Sequence, residues 1–284
     1  MDISIIIVNY NGKDIIQDCL DSILSSDTTY QVEIIVVDNQ SQDNSIELLE
    51  QYQSSITLLK NTDNRGFSKA NNQGIKCARG QYVWLLNNDT VLFKDTIQKL
   101  LDYYEKNPEI GALMPKLLNK DQTLQYPGGI LGSWKYRGQK PTSVSFISGA
   151  AFLTTAKVLE SVGGLDENYF FYNEDLDLSK EILKKSKKLI YYPGAQIIHL
   201  GGASTATRKP ASVIEGYRGG LYFCYKQYPR PIFHIYRFVL LLDIIPRWVL
   251  NKIGSIVNPS KKEMAKAYEK VLRISLFQDI VIHK

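Results

Sequence analysis

The chain is short of cysteine: Cys19, Cys77 and Cys224 are widely separated in 284 residues and form no CxxC pair. That pattern excludes a disulfide framework and a zinc ribbon, and fits a reducing compartment. A long apolar run is missing too. The most apolar late stretch, residues 232–250, is interrupted by His234, Arg237, Asp243, Pro246 and Arg247, whereas a membrane-crossing helix needs about 20 apolar residues in succession. A secretory leader is not expected either, because Asp2 stands where a basic segment would be and the run 3–8 is too short. Glycine-rich phosphate loops are also lacking. After the first apolar run the sequence reads NYNGKD, with one glycine, in place of G-x-G-x-x-G, and no G-K-[ST] loop occurs. There is no internal repeat and no low-complexity tract.

What is present describes an ordinary globular chain, 44% hydrophobic and 22% charged. Its length suits one large α/β domain or a domain with a smaller appendage. The net charge of +5 is unevenly spread. Residues 1–179 hold 15 Lys+Arg against 23 Asp+Glu, a net of −8; residues 180–284 hold 19 against 6, a net of +13. Such asymmetry points to an anionic partner for the C-terminal part.

The first 115 residues alternate between continuous β-branched runs and amphipathic stretches. The pattern predicts strands at 3–8, 33–38, 56–60, 82–86 and 110–114, with helices at 13–24, 44–53, 68–78 and 96–105. Strand–helix alternation of this kind implies right-handed crossovers and a mostly parallel sheet flanked by helices. Residues 116–147 change character: Pro127, Gly128, Gly129, Gly132, Gly138 and Pro141 predict a loop or hairpin excursion. A strand at 148–154 follows, then helices at 156–162, 173–185, 215–228, 232–250 and 261–275.

In open parallel sheets ligands bind at the carboxyl ends of the strands. Here those ends are polar: Asn9, Tyr10 and Asn11 after the first, Asp38 and Asn39 after the second, and Asn87, Asn88 and Asp89 after the fourth. Any one group would serve as a turn or helix cap; three converging on one edge make a cleft. With no glycine cradle for a diphosphate, a divalent cation held by a carboxylate such as Asp89 is the natural counterion. The segment FFYNEDLDLSKEI places Glu174, Asp175 and Asp177 in the first turn of a helix, where acids favour the macrodipole. Beside that aromatic wall a carboxylate can also accept a proton from a hydroxyl. His199, in IIHLGGAS, suits a structural role, a metal shell or a phosphate contact.

Taken in order, SIIIVNYNG, VVDNQSQDNS, NRGFSKANNQGI, LLNNDT and GLDENYFFYNEDLDLSKEI followed by IIHLGGAS resemble the family 2 glycosyltransferases of the GT-A fold, especially the rhamnosyltransferase-like branch of cell-surface polysaccharide assembly. The resemblance covers about residues 1–228, and leaves 229–284 as a basic, apolar helical extension. It implies an inverting transfer from a nucleotide-diphosphate sugar, dTDP-rhamnose or a UDP-sugar, to a saccharide or polyprenyl-diphosphate-linked acceptor. Carried over residue by residue, Asp38 would bind the base with Asn9 nearby. Asn64, Arg65 and Asn72 would line the nucleotide and diphosphate pocket, with Asn87 and Asn88 beside them. Asp89 would hold Mg²⁺ or Mn²⁺, and His199 would approach that metal or the leaving phosphate. Asp175 would be the general base, and Glu174 would orient the acceptor or that base. The metal motif departs from the family, with Asn87 and Asn88 before Asp89 where further acids are common.

Residues 208–230 interleave Arg208, Lys209, Arg218, Lys226 and Arg230 with Tyr217, Tyr222, Phe223, Tyr225 and Tyr228. Such a stripe suits a solvated face, nucleic acid or an anionic membrane surface; the resemblance favours the membrane, with Phe238, Leu241 and Trp248 as its apolar contacts and no nucleic acid. The expected location is cytoplasmic, peripheral on the inner face of the plasma membrane. Two other readings compete: a sugar-nucleotide nucleotidyltransferase, which would be expected to open with a glycine-rich basic loop, and a non-catalytic nucleic-acid or membrane-binding module, which needs none of Asp38, Asp89 and Asp175.

Overall fold

A computed structural model describes residues 1–127, 133–201 and 209–277. Gly128, Gly129 and Gly132 of the expected excursion, Gly202 to Ser204 of the IIHLGGAS motif, and Arg208 lie outside the described residues.

The expected alternation appears as β1 (Ile3–Asn9), α1 (Lys13–Leu24), β2 (Val32–Asp38), α2 (Ser45–Glu50), β3 (Thr57–Lys60), α3 (Phe67–Cys77) and β4 (Tyr82–Asn87). Every pair these strands make among themselves is parallel, in the order β3-β2-β1-β4. β1 reads ISIIIVN and is almost wholly buried, because helices cover both faces of a parallel sheet.

Beyond β4 the sheet turns mixed, with β5 (Thr90–Leu92), α4 (Thr96–Glu105), β6 (Ile110–Leu118), β7 (Thr142–Val144), β8 (Ala151–Thr155) and β9 (Lys188–His199). β8 inserts between β4 and β6, antiparallel to both, while β6 and β9 pair in parallel. The reversal has a simple cause: parallel neighbours need a crossover, usually a helix, and only a short 3-10 turn (Ser133–Arg137) and β7 are described between β6 and β8. β5 and β7 escaped the sequence pattern, and β9 is far longer than the short strand expected before His199. β5 has three residues, too few to show alternation. β9 is a 12-residue strand whose pairing with β6 slips between Tyr192 and Gln196, where Pro193 and Gly194 sit.

The C-terminal part folds as α5 (Ala156–Val162), α6 (Glu174–Lys184), α7 (Lys209–Gln227), α8 (Arg230–Gly254) and α9 (Ser260–Phe277). Leu221, Tyr222 and Cys224 of α7 pack with Phe233, Ile274 and Tyr169, and Ile244 packs with Tyr268 and Val271. Part of the aromatic-basic stripe is turned inward, while Tyr225, Tyr228 and Arg230 stay exposed. Tyr217 donates to Asp243, Arg218 pairs with Glu215, and Lys226 lies 2.7 Å from both Asp166 and Asp177. Part of the charge asymmetry is thus neutralised inside the molecule. Trp248 also faces inward, against the Ile244 cluster. Among the described residues no helix is long and apolar enough to cross a membrane.

Candidate active site

The strand order reverses at β1, between β2 and β4, which is where α/β sheets open a crevice. Register places Asn9 beside Asp38 and Val8 beside Asn87. Asn9 Nδ2 donates to Asp38 Oδ2 at 2.9 Å and to Ser41 Oγ at 3.1 Å, and its Oδ1 accepts from Asn88 Nδ2 at 2.8 Å. Both Asn9 and Asp38 are fully buried, so they brace the crevice from below. The single glycine of NYNG now has a reason: a Cβ on Gly12 would lie 2.4 Å from Asn9 Oδ1 and 2.3 Å from Asn88 Nδ2. Glycine here leaves room for an amide bridge instead of wrapping a phosphate.

Asn39, which the sequence comparison left without a role, ties the NRGF loop to the sheet. Its Oδ1 accepts from the Arg65 and Asn61 nitrogens, and its Nδ2 donates to Asn64 Oδ1 and the Gly66 carbonyl. Gly66 has φ +82°, and a Cβ there would meet the Phe170 carbonyl at 2.6 Å. Next to it, the Phe67 N–H donates to that same carbonyl at 2.7 Å. The aromatic segment is thereby fixed against the loop. Arg65 is exposed and lies 3.5 Å from Asp63. Asn72 points elsewhere: its amide bonds Leu165 and Glu167, on the far side of α3 from the crevice.

Asp89 lies in the turn between β4 and β5. β5 pairs with β9 so that Thr90 faces His199, which sets His199 Nε2 3.2 Å from Asp89 Oδ1. Gln125 orients the ring. Its Nε2 donates to Asn119 Oδ1 and the His199 carbonyl, leaving Oε1 to accept from His199 Nδ1 at 2.6 Å. Asn87 Nδ2, an N–H donor 3.4 Å from Nε2, favours a lone pair on that nitrogen. Asp89 Oδ1 is buried and accepts no hydrogen bond from the described residues. An imidazole lone pair beside an unpartnered carboxylate oxygen is an arrangement that a shared divalent cation would relieve. Among the described residues no cluster of three His, Cys, Asp or Glu is placed to hold a metal. A cation here would have two protein ligands, which suits Mg²⁺ or Mn²⁺ completed by substrate phosphates.

The acidic pair enters from α6. Tyr172 and Asn173 before it have φ +72° and +69°, two successive strained residues of the kind that collect at functional sites. They are held by α7, where Gly216 accepts from Asn173 Nδ2 at 3.2 Å and Gly219 lies against Tyr172 and Asn173 with no room for a Cβ. Asp175 is partly buried and accepts from the Gly149 and Leu176 N–H groups, each at 2.8 Å. The adjacent Ala150 carbonyl accepts from the Asn87 N–H at 3.0 Å, linking Asp175 to the end of β4. Burial pushes the Asp175 carboxyl above the usual carboxylate range, against the pull of those N–H donors. Glu174 is 5% exposed, and its Oε2 has no partner among the described residues. Burial, and then the neighbouring Asp175, push Glu174 up to about 8. Burial thus raises both carboxyls of the pair, and Asp175 alone is met by two backbone N–H donors that favour its charged form.

Together these elements enclose a cavity of about 290 Å³, lined by Asn39, Asn64, Asn87, Asn88, Asp89 and His199 on one side and Phe170, Phe171 and Tyr172 on another. α7 closes it with Ala211, Ser212 and Glu215. Glu215 was not legible in sequence. Burial pushes its carboxyl up, opposed by Arg218 and Lys270. Of the sequence candidates, Asn64, Asn87, Asn88, Asp89 and His199 line this cavity; Asn9 and Asp38 support it. Glu174, Asp175, Arg65 and Asn72 are not part of its lining; Asp175 is tied to the end of β4 through the Gly149–Ala150 backbone.

Known proteins share this fold. The crystal structure of a mannosyltransferase from Pyrobaculum calidifontis in complex with GDP-Man and Mn²⁺ superposes with TM-score 0.65 at 17% identity, covering 98% of this chain and 87% of that one. GalNAc-T7 with UDP, GalNAc and Mn²⁺ gives 0.64 at 14%, covering 99% and 57%, and S. aureus TarS 1-349 gives 0.61 at 14%, covering 98% and 92%. These likenesses establish the fold. In sequence, the poly-beta-1,6-N-acetyl-D-glucosamine synthase of Staphylococcus epidermidis is 30% identical over 203 residues, 68% of this chain and 48% of the synthase. The chain thus spans about half the length of the curated relatives it matches. The sequence profile of Glycosyl transferase family 2 covers residues 4–163, more than half of the chain, and the chain belongs to that family of glycosyltransferases.

Proposed function

We propose that the chain transfers a sugar from a nucleotide-diphosphate donor, with dTDP-rhamnose or a UDP-sugar as leading candidates, to a saccharide or polyprenyl-diphosphate-linked acceptor in cell-surface polysaccharide assembly. The observation that carries this reading is the electron-rich pair Asp89 Oδ1 and His199 Nε2, 3.2 Å apart at the strand ends. Asp38 and Asn9 support the nucleotide end, with Asn64, Asn87 and Asn88 along it. A divalent cation bound at Asp89 and His199 would offset the charge of the departing diphosphate. Asp175 takes the proton of the attacking hydroxyl, and Glu174, holding its own proton, keeps negative charge from doubling at that point. With Asp175 as the base and no carboxylate assigned as nucleophile in this reading, transfer is one displacement through an oxocarbenium-like transition state, with inversion at the anomeric carbon. Arg65, at the exposed mouth, serves the diphosphate only if the NRGF loop closes; Asn72 serves the site through the 163–167 turn.

In this reading residues 1–228 are the transferase domain and 229–284 a helical extension that holds it, peripherally, to the anionic inner face of the plasma membrane. Family membership sets aside the nucleotidyltransferase and the non-catalytic module. Thermal-shift titration with UDP, dTDP and GDP sugars, with and without Mn²⁺, tests the donor assignment. A ligand at about 100 times its Kd stabilises by about 2.7 kcal/mol. One nucleotide class responding only with Mn²⁺ is the expected result, and silence from all three would overturn it.

A further inference from the structure

α8 presents two unlike faces. Phe233 and Ile244 are buried, and Tyr236, Leu240 and Trp248 pack toward α7 and α9. On the opposite face Ile232, Ile235, Phe238, Val239, Leu242, Ile245, Val249, Leu250 and Ile253 are all exposed, at the three- and four-residue spacing of one helical ridge. Phe238 is 62% exposed, Leu242 59% and Ile253 61%. The ridge runs on into Ile256 and Val257, 84% and 89% exposed in the turn before α9. A continuous apolar surface of this length on a folded domain marks a docking face.

The charges around it identify the occupant. Residues 230–277 carry nine Lys+Arg against three Asp+Glu. Asp243, the one acid of α8, is held by Tyr217 and Arg247. Lys252, Lys261 and Lys262 are exposed and form no ion pair with the described residues. A second copy of the chain would oppose like charges across the ridge, whereas anionic lipid headgroups complement them.

We propose that α8 lies in the plane of an anionic bilayer with the ridge from Ile232 to Val257 sunk into one leaflet and the flanking lysines at headgroup level. This rests on the membrane-face reading above and replaces its contacts: Phe238 belongs to the inserted face, while Trp248 and the inward-held Tyr217, Arg218 and Tyr222 of α7 do not. Interfacial helices of this type bind through buried apolar area plus attraction to anionic lipid. They do not cross.

The test is cosedimentation of the full chain with vesicles of phosphatidylcholine alone, or of equal parts phosphatidylcholine and phosphatidylglycerol. The triple variant Phe238→Glu, Leu242→Glu, Ile253→Glu should bind the mixed vesicles about tenfold or more weakly. Leu24→Glu, which changes an exposed leucine at the end of α1, should bind like the parent. Circular dichroism checks that the triple variant is folded. Unchanged binding by the folded triple variant, equal binding of the parent to both vesicle types, or a lipid-free dimer that the triple variant dissolves would each overturn the proposal. Vesicle binding is read without any sugar donor, so a failure of the donor assignment leaves this result standing, and the reverse holds too.

Discussion

Two buried glutamates at opposite ends of the sheet behave in opposite ways. Glu33, on β2 near the amino ends of the strands, is 7% exposed. Ser4 Oγ, the Arg79 N–H and the Arg79 Nε all donate to it. Burial opposes its charge, yet those donors prevail and hold the carboxyl below its ordinary value. Glu174, near the carboxyl ends, is buried to the same degree but has an unpartnered oxygen and a carboxyl pushed up to about 8. A buried polar group that is fully bonded serves the fold, and one left short is a cost of the kind that collects near functional sites. Asp89 Oδ1 belongs with Glu174 in this respect.

The sharpest break of that comparison is Asp175→Asn. It should leave thermal stability near the parent value and lower kcat by about 10²–10⁴-fold, as loss of a general base does; turnover with the preferred donor and acceptor measures it. A smaller effect is expected at Gln125, which never touches the reacting groups. Gln125→Leu frees the His199 ring and should weaken Mn²⁺ affinity about 10–100-fold, read by Mn²⁺ titration of the donor-induced thermal shift.

The smallest effects set the two glutamates directly against each other. Below about pH 4.5 Glu174 is protonated whether the chain is folded or not, and its contribution to stability is fully present. It is lost as pH rises through the folded value of about 8. Glu174→Gln, which mimics the protonated form, should therefore melt with the parent at pH 4 and several degrees above it at pH 9. Glu33 has the opposite sign: its stabilisation is present above the ordinary glutamate range and disappears on acidification. Glu33→Gln should cost about 1–3 kcal/mol at neutral pH with kcat/KM unchanged.

Much of the sheet's first half was legible because strand, helix and crossover repeat there with clear periods. The strand-end residues Asn9, Asp38 and Asn87 to Asp89 were legible for the same reason, since chain order fixes which ends meet at the switch point. Gln125 and Glu215 were not. The first arrives through a hairpin off β6 and the second through a helix far along the chain, and nothing in local pattern says either reaches the cleft. Asn72 was drawn toward the nucleotide by its place in NRGFSKANNQGI, but one step along a helix turns a side chain by about 100°, and it bonds Leu165 instead. The stripe of Tyr217, Arg218 and Lys226 looked like a surface because the acids that neutralise them, Asp243, Glu215, Asp166 and Asp177, are scattered over the sequence.

The position of α7 has a practical consequence for anyone shortening this chain. It supplies Glu215 to the cavity, seats the strained Tyr172–Asn173 turn through Gly216 and Gly219, and sets Lys226 between Asp166 and Asp177. Its other side is roofed by Phe233 and Ile274. Trimming back to the profile-matching segment would remove one wall of the cavity, and stopping after α7 would leave Leu221 and Tyr222 uncovered. An expression boundary for the catalytic unit therefore belongs after α9.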